Sequence, residues 1–356
     1  MKLESIMESD RSVYLLGGDA KVTSLSFSAE AALLLVGDTR GRLHLFKAQP
    51  QLAHWVSFVS HSTFFDRDSQ STESEHVAAA QFVSALPHSL TCLCANEKTI
   101  KLWSVGQHDG KSRLRRLFPP MHDFRIHSLS VHPARDQFLA CDDLILTLCH
   151  FDNPATAFTL ADLRPRRIED LQEVLLFASF HPLQTHLLVY TSTAGAIRIA
   201  DLRVRACAFP PALELRNHSR GGLTDLLYSI SGVSFSSNEN VLFSRQIQSV
   251  AIWDLRSPLE PLDCSLVLAN ERRLLADGDT PKFQVAALGE RGWVTGGMDG
   301  NLVFMREFGH KEEVDLHLDR VSVPFVVSNS EYSEVFAGAK GQVMTFCEDI
   351  RNPFIP

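Results

Sequence analysis

Two acidic pairs, Asp142-Asp143 in LACDDLIL and Glu169-Asp170 in RRIEDLQEV, are the residues whose type and spacing suggest chemistry. Carboxylates presented together on one surface attract Lys/Arg-rich ligands. Opposite charges 4 Å apart near a protein surface attract by about 4 kcal/mol before desolvation, enough to select basic partners while leaving binding transient. Leu144 follows the first pair and Leu171 the second, and either would add an apolar contact between charges. The other reading is that the acids cap amides in their own turns and the leucines face the core; spacing alone leaves both readings open. Arg164, Arg166 and Arg167 sit beside Glu169 and Asp170 and read as local ion pairs.

Other chemistries find no footing in the sequence. There is no nucleophile elbow and no Gly-rich phosphate loop, and paired carboxylates alone do not make a glycosidase. His132-Pro133 and His181-Pro182 read as turn formers, and no His or Cys stands at metal-ligand spacing. The expectation is a non-catalytic protein with no metal and no cofactor.

The elements that must position the acidic pairs repeat about every fifty residues. An apolar strand, a polar turn, a second apolar strand, a short turn and an alternating strand recur, with anchors at Phe46, Trp103, Cys149, Ala200, Trp253, Met305 and Phe346, about 41 to 57 residues apart. That period is the spacing of propeller blades. Period-two alternation, as at Leu43/Leu45, Ile100/Leu102 and Val250/Ile252, marks strands. We therefore expect one all-β, seven-bladed propeller over residues 1–356, with strands near 22–28, 42–48, 99–105, 126–132, 145–151, 174–180, 196–202, 249–255, 301–307 and 341–347. The segment 12–18 supplies the missing strand of the last blade and hides its edge. Turns between the second and third strands of a blade share one rim with the links between blades. Asp142-Asp143 fall in such a turn and Glu169-Asp170 in such a link, so one face carries both. Three long links, Gln49 to Glu75, Arg205 to Asp225 and Asn270 to Thr280, crowd the same face, the first mobile around QSTESE. The best helical pattern, Ile168 to Phe177, is apolar enough in its second half to be strand.

A net charge of −8 and pI near 6.0 disfavour a nucleic-acid footprint and suit basic partners. The 7 cysteines, without C-x-x-C spacing and mostly in apolar runs, read as buried thiols of a reducing compartment. With no apolar run of membrane-spanning length and no signal-peptide core at the start, no membrane partner is expected, and the expected location is the cytoplasm, with nuclear access.

NEKTIKLW (96–103), the run from His122, DDL (142–144), DLRPRRIEDLQEV (162–174), FHP (180–182) and the SISGVSFSS and SVAIWDLR runs together resemble the WD40-type B regulatory subunits of protein phosphatase 2A, over Val22 to Phe346. The resemblance implies a WD40-type propeller that binds a scaffold subunit and the catalytic subunit and recruits phosphoproteins through basic segments docked in an acidic top-face groove. It maps groove residues onto Asp143-Leu144, with Asp142 beside them, and onto Glu169 and Leu171, with Asp170 between; Lys282-Phe283 match the opening of the sixth blade. Phe65-Asp66 match a Phe-Asp of the first link that contacts the phosphatase. Thr39, Phe124-Arg125, His127 and Thr280 depart from the family pattern, at positions that bear on substrate range. The family's long hairpin arm in the second blade is cut to about 22 residues between Trp103 and Ile126, leaving a basic cluster of Lys111, Arg113, Arg115 and Arg116. A phosphatase-targeting subunit is the leading expectation; the other is a propeller scaffold that has lost phosphatase binding with its arm.

Overall fold

Alternating sequence of this kind has one use for its apolar face, which is to stack sheets, and the chain does so as a ring. The structure is a computed structural model. It describes residues 12–16, 20–28, 30, 32–47, 52–60, 64–66, 71–73, 75–86, 89–106, 110–153, 156–204, 211–216, 228–267, 282–298, 300–305, 311–316, 323–329, 334–339 and 342–347. The described residues form seven four-stranded antiparallel sheets and one two-stranded hairpin. The fold is a seven-bladed β-propeller. Innermost strands of successive blades pack on one another all the way round, including the first on the last. Seven apolar clusters are built largely from facing residues of neighbouring blades, such as Leu139, Leu146, Leu148 and Leu160 against Leu175, Ala178 and Leu188.

Two blades position the acidic pairs. Blade 3 comprises Ser128–Val131, Gln137–Cys141, Ile145–His150 and Ala157–Asp162; blade 4 comprises Leu175–Phe180, Leu187–Ser192, Ala196–Asp201 and Leu213–Arg216. The strands expected near 126–132 and 301–307 are shorter, Ser128–Val131 and Asn301–Met305. Ser12–Leu15 pairs with the final strand, Ser12 opposite Thr345 and Leu15 opposite Gln342, so the last blade is built from both ends of the described chain.

Two of the long links are shorter than the sequence suggested. Ala53–Val59 is the outer strand of blade 1, inside the first, and Leu213–Arg216 is the outer strand of blade 4, inside the second. Outer strands face water along one edge and mix polar with apolar residues, so the alternation that marks inner strands is weak there. The first link also holds the hairpin of Phe64–Asp66 with Ser71–Glu73, the second strand of which falls within QSTESE. The third link, and with it Thr280, lies outside the described residues. The Ile168 to Phe177 segment makes a single 3-10 turn, Ile168–Asp170, before strand begins at Leu175. Cys92, Cys94, Cys141 and Cys149 are free and buried, whereas Cys264, on an outer strand, is exposed.

In blade 2 the third and fourth strands, Thr99–Val105 and Ser112–Leu117, are joined tightly: Gly106 N–H donates to Lys111 O at 2.9 Å and Gly110 N–H to Gly106 O at 2.9 Å. Gly110 takes φ +63°, a left-handed turn that favours glycine. Arg113, Arg115 and Arg116 lie on that outer strand.

Candidate functional site

The turn at 142–145 begins with a donor problem: amides leaving a strand lose their ladder partners. Asp142 solves it. Its Oδ1 accepts Leu144 N–H at 2.7 Å and Ile145 N–H at 2.6 Å, and its Oδ2 lies 3.0 Å from His122 Nδ1. His122 Nε2 in turn meets Thr147 Oγ1 at 3.0 Å. Burial pushes the Asp142 carboxyl up, but the His122 hydrogen bond and then the Leu144 and Ile145 amides outweigh it and hold the group below its ordinary value. Asp142 is 0% exposed. Its assignment to a surface groove is therefore corrected: the carboxylate is consumed by its own turn. Leu144 is buried as well and offers no apolar surface to a ligand.

Blade 1 repeats the device. Asp38 is buried, accepts Arg40 N–H at 2.9 Å and Arg42 N–H at 2.8 Å, and meets His44 Nε2 at 3.1 Å. An Asp at the start of this turn in two blades is a structural part. The following position is the outward one, Thr39 in blade 1 and Asp143 in blade 3.

Asp143 points out, with a side chain 40% exposed. Its backbone oxygen accepts Leu175 N–H at 2.8 Å, and Leu163 N–H donates to Leu144 O at 2.8 Å. These two bonds clamp the 163–174 link onto the turn and put both acidic segments on one rim of blades 3 and 4. Glu169, Asp170 and Leu171 are exposed there. Among the described residues Glu169 and Asp170 make no ion pair, so both carboxylates face solvent. The arginines do not neutralise them as expected. Arg164 turns to Asp162, at 2.7 Å, and to Asp123, at 3.3 Å. Reading the sequence missed Glu173, which is taken up by nearly buried Arg198 at 2.8 Å and by Ser192 Oγ at 2.6 Å.

Phe124 and Arg125 are exposed next to this rim. Lys282 enters from the opposite side of the ring, at the start of blade 6, and still acts on Asp143. Burial pushes the Asp143 carboxyl up, Lys282 and Arg125 pull it down, Asp142 adds to the rise, and the net direction is up. Lys282 is exposed as a residue, yet crowding of its ammonium dominates and holds it below its ordinary range in spite of Asp143. Below these groups His127 lines the central channel, its Nε2 3.8 Å from Asp143 Oδ1. Burial first, then Lys282, pushes its imidazole down to about 3, so it is neutral.

Asp143, Glu169, Asp170 and Leu171 thus lie on one rim, with exposed Phe124 and Arg125 close by, Lys282 acts on Asp143 from the start of blade 6, and Asp142 and Leu144 support the turn from within. Phe65 and Asp66 stand in the hairpin strand opposite Thr72 and Ser71. No cluster of three potential metal ligands occurs among the described residues.

No protein-family model matches the chain. It is 24% identical over 355 residues to the gamma isoform of the 55 kDa regulatory B subunit of serine/threonine-protein phosphatase 2A from Homo sapiens, a comparison covering 85% of this chain and 79% of the relative. The Rattus norvegicus gamma isoform gives the same figures. The beta isoform of Sus scrofa is 26% identical over 353 residues, covering 84% of this chain and 80% of its own length. Each of these relatives is named as a regulatory protein, not a catalytic one, and the likeness of this chain to them extends through most of the propeller.

Proposed function

We propose that this chain is a non-catalytic regulatory subunit of a protein phosphatase 2A holoenzyme, which holds the basic segments of phosphoprotein substrates on its top face and so brings them to the catalytic subunit. The observation that carries the reading is the clamp between the Asp143 turn and the 163–174 link, which sets Asp143, Glu169 and Asp170 on one rim with exposed Leu171 among them. Basic segments would lie along that rim, and Phe124 would give their apolar residues a second contact. Phe65 and Asp66, in a separate hairpin on the first link, are assigned to the phosphatase side. The working compartment is the cytoplasm, with access to the nucleus.

The test is co-precipitation of the chain with the scaffold and catalytic subunits and with phosphoproteins. Asp143→Lys combined with Glu169→Arg should lose basic substrates while retaining the catalytic subunit and the melting temperature, because like-charge juxtaposition discriminates strongly. Retention of the same substrates, or loss of the catalytic subunit along with them, rejects the groove.

A second reading, a propeller scaffold that no longer joins the phosphatase, is favoured by one feature: the tight Gly106 to Lys111 connection in blade 2, where the resemblance places the scaffold-reaching arm. Loss of a second tethered contact can lower affinity by roughly a hundredfold or more. Titration of the scaffold subunit against this chain and an arm-bearing relative decides between them. Weaker but measurable binding fits the first reading, and no binding of either phosphatase subunit fits the second.

A further inference from the structure

Blade 2 ends, on its outer side, in a strand with an open edge. Ser112–Leu117 is the last strand of its sheet, and among the described residues it pairs with Thr99–Val105 alone. Two bonds fix which of its backbone groups face out: Gly106 N–H donates to Lys111 O at 2.9 Å, and Phe118 N–H donates to Ile100 O at 3.0 Å. Bonded and unbonded pairs alternate along an antiparallel ladder. Arg113 and Arg116 therefore spend their backbone groups on the sheet, whereas Ser112, Leu114 and Leu117 turn theirs outward. Among the described residues no backbone group meets those three from the outer side. Blade 5 shows how this chain closes such an edge: Lys311 Nζ donates to Leu266 O at 3.0 Å, and Asp263 Oδ1 accepts Cys264 N–H at 2.8 Å.

The side chains of the strand divide between the two faces of the sheet. Residues opposite one another share a face, so Arg113, opposite Ser104, and Arg116, opposite Leu102, lie on the side that packs toward blade 3. Leu114, opposite Trp103, and Leu117, opposite Lys101, lie on the blade 1 side, where Trp103 meets Phe58 at 5.1 Å. The register shift between Leu102 and Trp103 leaves Arg115 as the extra residue. Arg113 and Arg115 are exposed and Arg116 is partly so. Among the described residues none of these three side chains enters an ion pair or a hydrogen bond. Leu114 and Leu117 are 42% and 56% exposed. Three uncompensated cations thus line one edge of a protein whose net charge is −8.

We propose that this edge receives an extended acidic segment of a partner protein, which adds to blade 2 as a fifth strand with its acids on the arginine face and its apolar residues on the leucine face. Strand addition draws affinity from main-chain hydrogen bonds and specificity from alternate side chains, and this edge offers both. Basic residues on an edge also keep copies of a chain apart, but that task is weakened by leucines exposed on the opposite face. Two such edges repel each other, so the charges that exclude a second copy of this strand select an acidic one. The site stands apart from the top-face rim and requires no phosphatase subunit, since every group in it belongs to the outer strand of blade 2.

The experiment is fluorescence anisotropy of the full chain with a short labelled peptide that alternates glutamate with valine. The peptide should bind saturably, and less tightly as salt rises. Three further peptides separate the parts of the site: one with lysine in place of glutamate, one with the same residues in two blocks, and the alternating peptide N-methylated throughout. Each should bind far more weakly than the first. Arg113→Gln combined with Arg116→Gln should weaken the alternating peptide about fivefold or more, the scale of two exposed ion pairs. Arg113→Glu combined with Arg116→Glu should abolish binding, and both variants should keep the parent's melting temperature. Absence of saturable binding, or indifference to the glutamine variant, overturns the inference. Equal binding of the block or N-methylated peptide means attraction of charge without strand addition and overturns it as well. Self-association of the parent in sedimentation, lost in the glutamine variant, gives the edge to a second copy and overturns the foreign partner.

Discussion

At the residue scale, the pair Asp142-Asp143 divides its labour across one peptide bond. Replacing Asp142 by Ala strands two buried amides and one face of His122 at once, so urea unfolding at pH 7 should show a loss of about 3 kcal/mol or more. Asp143→Asn should leave stability within about 0.5 kcal/mol of the parent or raise it, because its carboxyl is pushed up by burial and the ionised form gains nothing from folding. The pH profiles should diverge as well. The Asp142 carboxyl lies below its unfolded value of 3.8 in the fold, so its contribution is present above that value and is lost as pH falls through the folded value. Asp142→Asn should therefore flatten acid unfolding below about pH 4, and an unchanged acid limb would contradict the assignment. The sequence made the acidic turn legible but not this division. The signal was in the repeat: Asp38 holds the same register in blade 1, and an acid recurring at one position of a structural repeat serves the repeat. The influence of Lys282 on Asp143 was legible only through the family resemblance, because a charge acting across the ring leaves no local pattern.

At the element scale, the inner strands set the problem. Strands of one blade pair with each other, but the inner strand of each blade presents an unpaired edge to the channel, and those groups need partners. Serines supply them. Ser128 Oγ donates to Ala178 O at 2.8 Å and accepts Ala178 N–H at 3.1 Å, while Ser130 Oγ accepts Phe180 N–H at 3.0 Å. Ser231 Oγ donates to Phe283 O at 2.6 Å, and Ser234 Oγ accepts Ala287 N–H at 3.1 Å. The motifs SLSV and SGVSF read in the sequence only as alternation; their hydroxyls bridge blade to blade. Ser128→Ala should cost about 1–3 kcal/mol in chemical denaturation, since it orphans two buried groups, and a neutral result would mean that water in the channel replaces the hydroxyl. Close approach between blades also explains Gly296, where an added Cβ would lie 1.8 Å from the Val323 carbonyl oxygen. Gly296→Ala would have to displace the Val323 backbone and its Cβ, neither of which can swing aside, and should cost about 3 kcal/mol or more. The outer strands Ala53–Val59 and Leu213–Arg216 stayed hidden in apparent links for the converse reason: strands with one wet edge obey no strict alternation.

At the scale of the whole molecule, a ring is only as stable as its closure. Inner-strand packing makes each blade depend on two neighbours, and the last blade has just three strands until Ser12–Leu15 adds the fourth. The period of the anchors made seven blades legible, and the apolar run at Ser12–Leu15, ahead of the first blade, was legible as an extra strand. What no period reveals is how the closing strand is locked. Tyr14 meets Phe46 edge-on at 4.7 Å and stacks on His54 at 5.3 Å, so a side chain completing blade 7 is gripped by blade 1. Such aromatic pairs contribute about 0.5–1.5 kcal/mol each beyond the area they bury. Tyr14→Ala should therefore lower the melting temperature by a few degrees, since in a large domain about 1 kcal/mol corresponds to 2–4 °C. Removing residues 1–19 should do more: it strips the partner from Gln342–Thr345 and leaves a flat strand edge open to another copy of the chain. The truncated protein should melt earlier than Tyr14→Ala and form concentration-dependent oligomers in sedimentation, and a peptide spanning residues 8–20, added in excess, should restore both monomer and melting temperature. A truncated chain that stays monomeric with the parent's melting temperature would mean that three strands close the blade unaided and that the Tyr14 contacts are incidental.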